Sequence, residues 1–288
     1  MTSLEVPRDL KARYDEGRLI PFIGAGASMS VAWERDGIGM RGLSWRELVD
    51  EAARQMGFDD PDLLRVRGTE LQILEYYRIL NHDRIERLAN WYNREYHAPD
   101  ESLKQSPIHV ALAQLTECSV FYTTNYDDYL ERSMRLLGRE AVPIAIEADI
   151  ARALRDNRQE RPDLAHIVKF HGDLDNPGRM VLSERDYEKR LKFSDVEDQR
   201  LLSDLLGKAM LFVGYSFRDW NVSYLFRMIN DLHGPLPLAP TGRRAYITVS
   251  DPSDFEMKLF ESRNMQVVPI DGDHQSEQIA ELLEGLSR

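Results

Sequence analysis

Short apolar runs alternating with longer amphipathic segments constrain this chain more than any other feature. The runs are 19–23, 119–123, 166–170, 210–213, 245–249 and 265–270. Each is rich in aromatic or β-branched types and bounded by turn formers, the pattern of buried strands. Between them, 126–137, 220–232, 254–263 and 274–286 space their apolar residues as helices do. Such alternation predicts an α/β fold: a Rossmann-like, mostly parallel sheet with helices on both faces. One region departs from it. In 45–115 no strand pattern is visible, and Leu48, Val49 and Ala52, then Leu71 and Leu74, then Ile85, Leu88 and Ala89 mark helical faces. The reading is one domain over 1–288, with a core of about 1–44 and 116–288 and a helical insertion lobe at about 45–115. Another stretch, 174–206, is charged and mostly helical in pattern.

Composition removes several classes. Lys+Arg 37 against Asp+Glu 49 leaves a net charge of −12, so no global field attracts nucleic acid or an anionic membrane. Hydrophobic residues, at 42 %, suffice for a core. Cys118 is the one cysteine, which excludes an intrachain disulfide and a Cys-rich zinc site. The longest uncharged stretch, 19–33, is interrupted by Pro21, Gly24 and Gly26 and is shorter than the roughly 18 apolar residues of a membrane span. The first residues lack the basic start and apolar run of a signal peptide. A cytoplasmic protein without membrane or direct nucleic-acid binding is expected.

Four polar motifs each follow a predicted strand. Ile23-Gly24-Ala25-Gly26-Ala27-Ser28 has two glycines one residue apart, which permit a tight turn and close approach of backbone N–H groups to a pyrophosphate. The dehydrogenase fingerprint is incomplete, because Met29 occupies its third glycine position and no acidic residue ends a second strand about 20 residues on. A plain strand-to-helix turn remains open. Thr123-Thr124-Asn125-Tyr126-Asp127 puts an amide and a carboxylate at a strand's carboxyl end, where open α/β sheets bind ligands; it reads equally as a helix cap. In Phe170-His171-Gly172-Asp173, His171 is placed to act as a general base. His166 points to the opposite face of that strand, so the two do not pair on a metal. Val213-Gly214-Tyr215-Ser216 offers a backbone N–H and a hydroxyl to a ribose or phosphate.

Three other patterns fail. Arg218 replaces the last glycine of a nucleophile elbow, which removes a serine hydrolase built on Ser216 and His274. Asp173, Asp175, Gly178 and Glu184 sit at calcium-loop positions, but Pro177 stands where an oxygen ligand belongs. Gly207-Lys208 lacks the rest of a phosphate-binding loop.

Taken in order, Gly-Ala-Gly-x-Ser, x-x-Asn-x-Asp, His-Gly and Gly-x-Ser, each after its own strand, resemble the sirtuin fold family over 19–270. The resemblance implies NAD as the ligand. It assigns the pyrophosphate to Gly24, Ala25, Gly26 and Ser28, and the nicotinamide ribose and carboxamide to Asn125 and Asp127. It makes His171 the general base, and gives the adenosine side to Gly214 and Ser216. Neither Asn125 nor His171 is expected to carry core packing.

The chain also departs from sirtuin deacylases. It continues Met29-Ser30-Val31-Ala32-Trp33 where they carry Gly-Ile-Pro-Asp-Phe-Arg, it has no four-cysteine zinc module, and Thr124 replaces the Gln before the motif Asn. These losses fall on peptide binding and spare the cofactor pocket. The pattern resembles the bacterial sirtuin-like NAD hydrolases of antiviral defence. That implies cleavage of NAD to nicotinamide and ADP-ribose by Asn125 and His171 without zinc, in a homo-oligomer, with short versions working beside a HerA-type hexameric ATPase. The alternatives are a non-catalytic NAD or ADP-ribose sensor and an NAD-dependent protein deacylase. Trp45, Tyr76, Tyr77, Trp91, Tyr92 and Tyr96 in the lobe are read either as subunit or gating contacts or as the lobe's own core.

Overall fold

The computed structural model describes residues 4–153, 155, 161, 163–190, 196–205, 207–215 and 245–288. Helix α1 (Arg8–Asp15) leads into β1 (Leu19–Ile23), the short helix α2 (Ala25–Met29) and a hairpin, β2 (Ala32–Arg35) with β3 (Ile38–Arg41). Six helices follow: α3 (Trp45–Gln55), α4 (Asp62–Arg65), α5 (Glu70–Leu80), α6 (Glu86–Glu95), α7 (Asp100–Gln105) and α8 (Pro107–Ala113). Then come β4 (Val120–Thr123), α9 (Tyr129–Leu136), β5 (Ala141–Ile144), α10 (Glu147–Ala153), β6 (Ala165–Lys169), α11 (Glu184–Arg190), α12 (Val196–Leu205) and β7 (Ala209–Val213). The described chain closes with β8 (Ala245–Ser250), α13 (Asp254–Ser262), β9 (Met265–Ile270) and α14 (Gln275–Ser287). The expected helix at 220–232 lies outside the described residues.

Seven strands form one parallel sheet in the order β5-β6-β4-β1-β7-β8-β9, a Rossmann-like arrangement. From β1 the chain moves outward on one side to β4 and β6, then returns to β7 on the other side of β1. The carboxyl ends of β1 and β7 therefore flank the crevice where open sheets bind ligands. All five residues of β1 are buried, as a central strand requires. Pro21 in that strand costs no ladder bond. Gly24 N–H bonds Val213 O on β7, and Ile23 O accepts Thr124 N–H from β4, so Pro21 faces β4, whose register begins only at Phe22.

Alternate strand residues supply two cores. Leu19, Ile23, Phe121, Ile167 and Leu211 pack with Leu10, Leu112, Met134 and Leu283 on one face. Ile20, Phe22, Tyr122, Val168 and Phe212 pack with Leu201 and Phe260 on the other. Helix α8 joins the first of these cores through Ile108, Ala111 and Leu112, although it comes from the 45–115 segment. The lobe has its own core of Leu48, Val49, Ile73, Leu74, Tyr77, Leu88 and Tyr92, closed by Tyr126, Met180 and Leu182. Capping boxes at Ser44–Glu47 and Thr69–Gln72 start α3 and α5.

The six predicted strands are present, and three more accompany them. β5 is short and contains Pro143, which an edge strand tolerates. The β2–β3 hairpin turns on Asp36-Gly37, both at positive φ (54° and 78°), the pair that a two-residue hairpin favours. Of the six lobe aromatics, only Tyr76 is exposed; Tyr77 and Tyr92 are buried, and Trp45, Trp91 and Tyr96 pack partly buried against the lobe core.

Candidate active site

The sheet register explains why four separate motifs meet. Lys169 pairs with Thr123, Thr123 with Ile23, and Ile23 with Val213. These four residues form one row across adjacent parallel strands, and each motif begins just past its member of the row. Phe170-His171, Thr124-Asn125, Gly24-Ala25 and Gly214-Tyr215 therefore emerge side by side at the same carboxyl edge. Ser216 lies outside the described residues.

The glycines let these turns touch. A Cβ on Gly24 would stand 2.7 Å from Gly214 O and 2.9 Å from the Tyr215 ring, and one on Gly26 would stand 2.8 Å from Gly214 Cα. Gly214 itself has φ +76°, and its Cβ would meet Ala27 N at 2.5 Å. The first and fourth motifs thus pack backbone on backbone, a closeness only glycine permits. Gly24 N–H donates to Val213 O (2.8 Å), Gly26 N–H to Gly214 O (2.9 Å) and Ala27 N–H to Gly24 O (3.1 Å), so three amides of the loop serve protein carbonyls. Tyr215, which sequence reasoning passed over, ties three strands. Its hydroxyl lies 3.1 Å from Ile23 O and 2.9 Å from Thr124 Oγ1, and its ring packs on Phe22 and Phe212.

Asn125 bridges the first and second motifs. Its Nδ2 donates to Gly24 O (3.0 Å) and Ser28 Oγ (2.8 Å). Its Oδ1 is buried and has no hydrogen-bond partner among the described residues. A buried acceptor without a donor is costly, so this oxygen is set to receive one from a ligand or water. Ser28 also hydrogen-bonds the Asp127 carboxylate. Asp127 takes two further donors, Tyr129 N–H on Oδ1 (3.2 Å) and Tyr92 Oη on Oδ2 (3.0 Å). Burial raises its pKa, against the opposing pull of Lys169 and these hydrogen bonds. Tyr129 N–H belongs to the first turn of α9, so the helix-cap reading and the site reading of Asp127 coexist. A carboxylate this engaged organises its neighbours.

His171 follows Lys169 as Asn125 follows its register partner Thr123, and the ladder ends with Phe170 N–H donating to Thr123 O (2.8 Å). The expectation that it carries no packing needs correcting. It is buried, stacked 5.7 Å from the Phe170 ring and edge-on to Tyr187 at 5.4 Å. Burial, reinforced by the Arg190 guanidinium, lowers its pKa to about 3, so the imidazole is neutral near pH 7. Neutral imidazole is the form a general base requires, but a pKa this low makes it a weak proton acceptor in the unliganded protein. Gly172, at φ +79°, then turns the chain away. A cavity of about 90 Å³ is bounded by Tyr126, Asp127, Glu131, Asp173 and Leu174 with Tyr96 of the lobe, and neither Asn125 nor His171 lines it.

Other candidates resolve locally. Asp173 Oδ1 accepts from Asn176 N–H and Nδ2 (both 2.9 Å), the role of a turn residue. Among the described residues no group of three His, Cys, Asp or Glu is arranged to hold a metal ion, and no helix is long and apolar enough to cross a membrane. Lys169 and Glu131 escaped sequence reasoning, because on their own they read as core or surface positions, and Tyr92 reads there as a lobe aromatic but not as a partner of Asp127. A lysine inside a buried strand was the available signal.

Comparison with known proteins identifies the family. A model of the SIR2-like domain matches residues 119–268, just over half of the chain. Among curated proteins, the chain is 28 % identical over 212 residues to the NAD(+) hydrolase ThsA of Bacillus cereus (strain MSX-D12), covering 74 % of this chain and 40 % of that protein. It is 29 % identical over 225 residues to the protein of the same name from Cytobacillus dafuensis, covering 78 % and 40 %. For that of Enterococcus faecium the figures are 29 %, 76 % and 40 %. The match thus spans well under half the length of these relatives.

Proposed function

The chain belongs to the SIR2-like domain family, and from that premise we propose that it hydrolyses NAD at the nicotinamide–ribose bond, giving nicotinamide and ADP-ribose. The observation that carries this reading is Asn125 Oδ1, a buried acceptor without a partner among the described residues, two positions past Thr123 as His171 is two positions past its register partner Lys169. Relatives named as NAD(+) hydrolases support it.

In the reaction the C–N bond to nicotinamide breaks and its electron pair leaves with the ring, which becomes neutral. Positive charge develops on the ribose, and water adds to the anomeric carbon. Asn125 orients the water or a ribose hydroxyl through Oδ1, while its Nδ2 keeps it fixed to the glycine loop. His171 is the group assigned to take the proton of the attacking water, a role that requires bound NAD to raise its pKa from the low value imposed by burial and Arg190. Gly24, Ala25, Gly26 and Ser28 are assigned to the pyrophosphate by close approach of the loop, since the Gly24 and Gly26 amides are already given to protein carbonyls, and Gly214 and Ser216 to the adenosine side. Asp127 holds Ser28, Tyr92 and the start of α9 in register. No zinc takes part.

The biological reading is depletion of NAD during phage infection, in the cytoplasm, by a homo-oligomer whose activity is governed by a separate partner such as a HerA-type hexameric ATPase.

Incubating the purified chain with NAD, alone and with candidate partners, and measuring nicotinamide tests the reaction. NAD binding without nicotinamide release under all conditions would turn the reading to a sensor.

A further inference from the structure

Lys169 is the last residue of β6, two positions before His171, and only 1 % of it is exposed. Its side chain crosses to the neighbouring motif. Nζ donates to the main-chain carbonyl of Asp127 and pairs with Glu131 Oε1 of α9 at 3.3 Å. Glu131 is itself buried, and its other oxygen, Oε2, has no hydrogen-bond partner among the described residues. Burial raises the Glu131 pKa, with Lys169 acting against it. As a source of stability this is a poor arrangement. Two ions are taken out of water, one oxygen stays orphaned, and an apolar pair of similar volume commonly does as well or better.

The pair does connect two things that nothing else in the ladder connects. The last β4–β6 bond is Phe170 N–H to Thr123 O, so the turn 124–128 leaves the sheet before Asn125 and Asp127 are reached. Tyr126 is tied from the loop beyond His171, by Leu174 N–H at 3.3 Å and through its hydroxyl to Val181 O at 2.7 Å. At the Asp127 main chain the tie to the His171 strand is Lys169.

We propose that Lys169 is a positioning residue for NAD cleavage: its ammonium, steadied by Glu131, clamps the Asp127 carbonyl and so fixes the separation of Asn125 from His171 past the end of the ladder. The proposal rests on the hydrolase reading. A misplacement of about 1 Å between reacting groups can cost on the order of 10²-fold in rate, which is the scale of effect a lost clamp produces.

The test compares the full chain with Lys169→Met and with the paired variant Lys169→Met/Glu131→Met. The single variant leaves Glu131 buried without its ion and should melt well below the parent. The paired variant removes both ions and should recover most of that loss. If Lys169 merely stabilises, turnover recovers with it. If Lys169 positions, kcat of the paired variant stays at least about tenfold down while KM for NAD remains parental. Hydrogen exchange in the 124–131 peptide rises as well, a readout that needs no turnover. Parental kcat or parental exchange in the folded paired variant overturns the proposal. Should that variant not fold, Lys169→Arg, which keeps charge and donors, must hold kcat within about tenfold of the parent at an unchanged midpoint; a folded but inactive Arg variant overturns it too. A parent that releases no nicotinamide, yet whose exchange at 124–131 depends on Lys169, refutes the hydrolase reading and leaves the clamp standing.

Discussion

The Tyr92 hydroxyl donates to the Asp127 carboxylate at 3.0 Å, joining the helical lobe to the edge of the sheet across 35 positions of sequence. Both groups are buried, and burial followed by the Asp127 charge drives the Tyr92 pKa well above its ordinary value. Through Asp127 the lobe reaches Ser28 and, one bond further, Asn125. The lobe is therefore mechanically continuous with the candidate site.

Tyr92→Phe removes this donor with little change of shape. It should cost about 1–3 kcal/mol of stability, the penalty for a buried charged acceptor that loses one partner. NAD cleavage should fall as Ser28 and Asn125 lose their support. Urea unfolding and nicotinamide release check both, and parental values in each would show that the lobe bond is idle.

Replacing the reacting pair tests the chemistry. Asn125→Ala and His171→Gln should each lower NAD cleavage by roughly 10²-fold or more, with a double variant little worse than either. Gln is chosen at 171 because the imidazole packs on Phe170 and Tyr187, and Ala would leave a cavity. Parental turnover in His171→Gln would remove it as the base.

The glycine contacts give a sharper expectation than the pyrophosphate role alone. Gly214→Ala places a Cβ 2.5 Å from Ala27 N at φ +76°, so it should lower the melting midpoint as well as weaken NAD binding. Gly138, at φ +85° with nothing within 4 Å, supplies the control. Its Ala variant carries the backbone strain without the clash and should be milder in thermal melts and parental in NAD affinity.

Acid should destabilise the fold before carboxylates protonate. His171, with a pKa lowered to about 3, and His109, lowered to about 4 by burial, stay neutral in the native state while the unfolded chain protonates them below about 6.5. The unfolded state then binds more protons, so stability falls with pH by up to about 1.4 kcal/mol per unit for each histidine. Asp127 and Glu131, whose pKa values are raised, take up protons earlier in the native state and offset part of this at lower pH. Unfolding curves between pH 7 and pH 5 should show the loss, and His171→Gln should remove about half of it. An equal slope in the variant would mean that His171 is protonated in the folded protein.

Chelation should leave NAD cleavage unchanged, since the single cysteine cannot build a four-cysteine zinc module. Activity lost with a chelator and restored by zinc would require ligands of another kind.

How much of this was legible in the sequence follows from the range of the interactions. Short apolar runs bounded by turn formers mark β1, β4, β6, β7, β8 and β9, because a strand buried on both faces needs a continuous apolar run. β5 lacked that signal, being half-exposed and holding Pro143. The hairpin on Asp36-Gly37 did carry a local signature and went unread beside the larger pattern. The positions of the four motifs after strands were likewise local. Strand order was not local, and neither was the Lys169–Thr123–Ile23–Val213 row.

The sequence by itself determined the α/β class, the glycine turn, the Asn125 and Asp127 motif and the His171 position, because each depends on residues a few places apart. Only the tertiary structure decided that Gly24 and Gly26 pack against Gly214, that His171 is buried and neutral, and that Tyr92 and Lys169 converge on Asp127. Those contacts join residues from separate strands and helices. A hydroxyl or an ammonium acquires such a partner only when packing excludes water from both.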